Sequence, residues 1–144
     1  MENINVKKIC LLLSVLLFTT SCSQNNVFSL KVGQCFGDAI PAGGKVENVD
    51  KVDCEEPHLN EIYAVLELPD GDFQRMSIEE DSVELCLEAF EPFVGLNYAE
   101  SVYEFDLLRP SSESWEKMND REVICYLYDL RGQLKQGTAA NSGL

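Results

Sequence analysis

The sequence predicts an α+β domain: a mainly antiparallel β-sheet packed with one amphipathic helix and held by two disulfides. Three observations predict it. Short segments with period-two alternation recur along the chain, separated by Gly, Pro and Asp turn residues. A single stretch, residues 77–94, carries helix signals from end to end. The cysteines that follow an export-type N-terminus are even in number, as in a disulfide-bonded exported domain. At 144 residues the chain has the length of one domain.

The first segment reads as targeting rather than fold. Residues 1–8 are short and polar and carry Lys7 and Lys8, and residues 9–18 are an apolar-rich run. That run is about half of the roughly 20 residues needed to span a bilayer, and it lacks the polar face of a core helix. Thr19-Thr20-Ser21-Cys22 follows at once. These small residues before a cysteine resemble the bacterial lipobox, with Thr19 where leucine is usual. The resemblance implies acylation of Cys22, which would begin the mature chain. An ordinary signal-peptidase site at Thr20-Ser21 is the alternative. Two or more acyl chains anchor stably, since each buried methylene adds about 0.8 kcal/mol.

Loss of residues 1–21 removes Lys7, Lys8 and Glu2, leaving 9 basic and 24 acidic residues, a formal charge of −15. Such a surface repels phosphate backbones and anionic headgroups, so no nucleic-acid partner is expected. Membrane contact would come through the N-terminal lipid, at the extracytoplasmic face. Residues 22–30 form the acylated N-terminus, a short tether and the start of a strand.

The remaining elements follow in order. Residues 27–32 alternate weakly and read as a first strand ending at Gly33. A loop containing Pro41-Ala42-Gly43-Gly44 separates it from an edge-like strand over 46–54. Residues 61–68 give the strongest strand, with Ile62, Ala64, Leu66 and Leu68 on one face. Pro69-Asp70-Gly71-Asp72 ends it with turn chemistry. In the helix, Ser77 and Glu80 form a capping box, with Glu79, Glu80 and Asp81 in the first turn. Val83, Cys86, Leu87, Phe90 and Val94 make its apolar stripe, and Pro92 and Gly95 mark its end. Tyr103, Phe105 and Leu107 share one face of a strand over 101–108. The last strand, 122–129, is apolar on both faces, which predicts a central place in the sheet. Residues 136–144 are small and polar and are expected to fray, with 139–144 a flexible tail.

Cys10 leaves with the signal and Cys22 is the lipid site, so Cys35, Cys54, Cys86 and Cys125 remain. Three connectivities are possible. Cys86 lies on the helix stripe and Cys125 on a buried strand, which favours Cys86–Cys125 and leaves Cys35–Cys54. A zinc site is disfavoured, because there is no C-x-x-C pair and the four are widely spread. No metal and no cofactor is expected.

Several motifs resemble the bacterial septum formation domain family. They are Val32-Gly33-Gln34-Cys35-Phe36, the stretch from Val52 through Cys54 to Pro57-His58, and Cys86 with Phe90 and Gly95. The tail of Pro110, Ser114-Trp115, Asp120-Arg121, Val123 and Cys125, then Gly132 and Leu134, completes the set. The resemblance covers about residues 31–138 in the right order. It implies an extracytoplasmic bacterial envelope domain associated with septum formation and cell division, without established chemistry.

Candidate sites are few. His58 is the single histidine, and Glu61 could orient it, but no nucleophile motif accompanies it. A hydrogen-bonded turn residue is the favoured reading. Glu55-Glu56 suits a solvated loop better than a carboxylate pair, and Asp70-Gly71-Asp72 fails the EF-hand spacing. Trp115, Asp120 and Arg121 could form a recognition surface, though a core-covering tryptophan with a local Asp–Arg contact is favoured. The expected function is a non-enzymatic interaction module that binds an envelope or division protein. The alternative is an envelope hydrolase or small-ligand-binding domain using His58.

Overall fold

The structure is a computed structural model that describes residues 26–40 and 46–144. The expected signal segment, the lipid candidate Cys22 and the Pro41-Ala42-Gly43-Gly44 loop lie outside the described residues. Five strands form one antiparallel sheet: β1 Cys35–Phe36, β2 Lys51–Val52, β3 Asn60–Glu67, β4 Tyr103–Leu108 and β5 Glu122–Asp129. Their spatial order is β2-β1-β3-β5-β4. Two helices accompany them, α1 Arg75–Val94 and α2 Ser112–Met118. The α+β class and the antiparallel sheet are as expected.

The sheet carries a core on each face. Helix α1 covers one side, where Ile78, Cys86, Phe90 and Val94 meet Tyr63, Ala64, Val123, Cys125 and Leu127. The N-terminal segment covers the other, where Val27, Leu30, Phe36 and Val49 meet Ile62, Ile124 and Tyr126. Strand β5 supplies Val123, Cys125 and Leu127 to one side and Ile124 and Tyr126 to the other, which is why both of its faces are apolar. It pairs with β3 and with β4, so its interior place agrees with the sequence.

Strand β3 departs from simple alternation. Its register with β5 shifts between Ile62 and Ala64. A bulge inserts one residue and reverses which face the following side chains reach. Ile62 therefore joins the core under the N-terminal segment, while Tyr63, Ala64 and Leu68 join the core under α1. The expected single face of Ile62, Ala64, Leu66 and Leu68 is divided by the bulge.

Helix α1 begins at Arg75, two residues before the expected cap, and Gln74 caps it without a side-chain bond. The Ser77–Glu80 box is unused, and the acidic run falls past the first turn. The buried residues are Ile78, Ser82, Cys86, Phe90 and Val94, spaced by four. Val83 and Leu87, expected in the core, are 44% and 46% exposed. Steps of four residues advance about 40° around a helix, so this contact line winds as α1 crosses the sheet. Gly95 closes the helix at φ 81, the left-handed conformation glycine adopts without a Cβ penalty.

Other differences are local. Residues 27–32 form no strand: Val27–Ser29 is a 3₁₀ turn capped by the Asn26 side chain. The strand expected over 46–54 reduces to Lys51–Val52, which pairs with a second two-residue strand, Cys35–Phe36. Helix α2 was not expected. It is short and opens with a reciprocal Ser111–Ser114 capping box, a serine-for-glutamate version of the usual pattern.

The C-terminal residues are pinned rather than frayed. Asn141 N–H donates to Phe93 O at 2.7 Å and Gly143 N–H to Val94 O at 2.9 Å. Those carbonyls end α1 and have no partner within the helix. Ala139 is fully buried. Both disulfides are present, Cys35–Cys54 and Cys86–Cys125, as the sequence favoured. The first ties β1 to the segment after β2, and the second ties α1 to β5.

Candidate functional site

The sequence left His58 and Glu61 as the residues to locate. Both are fully buried, His58 just before β3 and Glu61 within it. Strand alternation does not bring them together directly. Lys135 stands between them, and its Nζ lies 2.6 Å from Glu61 Oε2 and 2.9 Å from His58 Nε2. The third ammonium proton goes to Gly137 O at 2.9 Å. Lys135 has three donors and all three are used.

The other members are equally occupied. Glu61 also accepts from Ala139 N–H at 2.8 Å and from the Thr138 hydroxyl. His58 Nδ1 lies 2.7 Å from Glu56 O. A carbonyl can only accept, so these partners assign the proton to Nδ1 and leave Nε2 to accept from Lys135. The backbone of His58 pairs with that of Lys135 in both directions at 2.9 Å. Gly137 N–H donates to Cys54 O at 2.7 Å. The cluster thus clasps the C-terminal segment to β3 and to the loop of the first disulfide. A buried charge is tolerated when it is paired and hydrogen-bonded on every side, as here.

Metal ligation at this place is excluded by the donors' chemistry. The Cys35 and Cys54 sulfurs and a Glu61 carboxylate oxygen lie within 4.8 Å of one another. The sulfurs are bonded to each other, so neither offers a thiolate. The carboxylate already accepts three hydrogen bonds, from Lys135, Thr138 and Ala139.

Trp115 and Arg121 form a second cluster. Trp115 is buried, and its Nε1–H donates to Gly71 O at 2.9 Å. The Arg121 guanidinium sits 3.6 Å from the centroid of the Trp115 ring, a cation–π stack. Its carboxylate partner is Asp70, at 3.0 Å, and not the neighbouring Asp120. Arg121 touches Asp120 only through the Asp120 backbone oxygen, at 2.9 Å. The expected local Asp–Arg contact is replaced by one reaching back to the turn after β3. Asp120 instead uses Oδ1 to cap Glu122 N–H at 3.1 Å.

Glu122 is a residue here that no local sequence signature singles out. It pairs across the strands with Glu67, a like charge, and Asp120 is close by. Its Oε1 is buried without a hydrogen-bond partner among the described residues. Desolvation first, then Asp120 and Glu67, raise its carboxyl above the usual carboxylate range.

A family model described as septum formation matches residues 32–142. The chain belongs to the septum formation family. Neither the curated proteins nor the solved structures gave a match. The matched span includes both disulfides, the His58–Lys135–Glu61 clasp and Asn141 of the pinned C-terminal segment. Membership suggests a protein of the envelope or the extracytoplasmic space, with a possible part in cell division. Among the described residues no helix is long and apolar enough to cross a membrane.

Proposed function

We propose that this septum formation family member is a non-enzymatic extracytoplasmic lipoprotein domain, acylated at Cys22, that serves as an interaction module in cell division. The observation that carries the reading is the state of its single histidine. A general base must reach a substrate proton. His58 is fully buried with both ring nitrogens committed, one to Glu56 and one to Lys135. The burial of Glu61 and Lys135 and the internal partners each already holds argue against a small-ligand site at either. What remains for partners is the outer surface, on a domain tethered close to its membrane.

Two variants test this. Cys22→Ser should move the protein to a soluble fraction and abolish acyl labelling, and unchanged membrane retention would remove the anchor. His58→Gln keeps an acceptor towards Lys135 and should leave septal placement and division morphology intact. Loss of function in a folded, abundant His58→Gln protein would instead favour a hydrolase or ligand-binding site built on His58.

A further inference from the structure

The outward face of α1 supplies a surface for such an interaction. Met76, Val83 and Leu87 lie 7 and 4 residues apart, which places them within about 40° on one line along the helix. They are 76%, 44% and 46% exposed, and the exposed Glu80 lies on the same side of the helix between Met76 and Val83. At Leu87 it runs into an open cleft of about 770 Å³ between the end of α1 and the Tyr98–Glu100 turn, lined by Pro92, Tyr98 and Ala99. Glu88 and Glu91 line the same cleft.

Charge defines what fits there. Helix α1 carries six carboxylates against the single cation Arg75, and its last turn has no basic residue. A helix C-terminus already bears about half a negative charge, so Glu88 and Glu91 sit where anions are disfavoured. Among the described residues, the salt bridge from this helix is Glu79 to Arg109, far from the cleft in sequence. A groove lined by apolar side chains and unneutralised carboxylates complements a cationic segment bearing aliphatic side chains. A second copy of a chain with net charge −14 does not offer that complement, and an anionic membrane is repelled.

We infer that the Met76–Val83–Leu87 line and the Leu87–Tyr98 cleft dock a basic segment of a partner protein, with one or two aliphatic side chains set between Lys or Arg residues. The inference rests on the interaction-module reading and names its surface.

The test is in-cell photocrosslinking of the full chain with benzoylphenylalanine at position 83 or 87, and at Phe28 or Leu130 on other exposed surfaces. The expected result is a protein adduct from 83 and 87 whose crosslinked peptide is Lys- or Arg-rich. That peptide, synthesised, should bind the purified chain. Glu88→Lys with Glu91→Lys should weaken binding at least about tenfold and flatten its salt dependence. Adducts at 83 and 87 with lipid or with the chain itself, a crosslinked peptide without basic residues, or binding that ignores the charge reversal would each overturn it. Protein adducts from position 28 or 130 alone would sink this surface while sparing the interaction module. No protein adduct from any of the four would sink both.

Discussion

Lys135 and Glu61 are 74 residues apart in sequence, yet their charged atoms meet at 2.6 Å with the two side chains almost wholly buried. The pair closes the domain, because the segment carrying Lys135 goes on to cover the end of α1. Removing one partner strands the other charge in the interior, which typically costs about 3–5 kcal/mol. Lys135→Met should therefore lower unfolding free energy by that order in urea titrations. Glu61→Gln combined with Lys135→Met should recover part of the loss, because no charge is then stranded and the amide oxygen still accepts from Ala139 N–H. A Lys135→Met penalty below about 1 kcal/mol would show that the clasp is not structural.

The disulfides differ in what they constrain. Cys86 and Cys125 are separated by 39 residues, and Cys35 and Cys54 by 19. Loss of a native bridge from a small domain typically costs about 2–5 kcal/mol. The chain-entropy model makes the longer loop worth about 0.6 kcal/mol more. The longer bridge is also embedded in the core with Phe90 and Val94. Paired Cys→Ala variants at 86 and 125 should have the lower unfolding midpoint, and non-reducing peptide maps of the parent should contain both pairings. A lower midpoint for the 35/54 variant would contradict the ranking.

Arg121 holds Asp70 and Trp115 at once, and the two contacts are unequal. The Asp70 side chain is 87% exposed, so its ion pair is screened by water and contributes little. The stack on Trp115 is largely desolvated, a setting in which cation–π contacts reach about 2 kcal/mol. Asp70→Asn should change stability by less than about 0.5 kcal/mol. Arg121→Ala should cost about 1–2 kcal/mol and alter the near-ultraviolet tryptophan signal. Equal effects of the two substitutions would refute the assignment.

Glu122 makes the folded state sensitive to pH in a definite direction. Its folded carboxyl is raised above the unfolded value, so the folded state holds the proton more tightly. Its contribution is most favourable below the unfolded value and is lost as pH rises through the raised one. Glu122→Gln should raise the melting temperature at pH 7 and leave it little changed at pH 4. A lower melting temperature at pH 7 would mean that the carboxylate has a partner it needs.

Much of this architecture could be read from residues whose signals are local. Alternation in 122–129 is a property of one strand and survives in any surroundings, so both faces of β5 are legible in the sequence. Cys86 on a helix stripe and Cys125 on a buried strand had few geometric ways to pair. The four cysteines, Trp115 and Pro57-His58 in register were enough to indicate the family.

What the tertiary structure alone decided depends on contacts between distant segments. Two apolar stripes fit the helix spacing of 75–94, and only the angle at which α1 crosses the sheet buried Ile78 and exposed Val83 and Leu87. The bulge after Ile62 arises from pairing with β5, so no pattern within β3 announces which face Ile62 takes. His58 and Glu61 were visible as candidates, but their meaning came from Lys135, a residue with no local signature in a polar tail. Sequence carries the periodicity of each element because side-chain direction follows the backbone. It does not carry the partner of a buried charge, because that partner is chosen by desolvation only after the chain has closed.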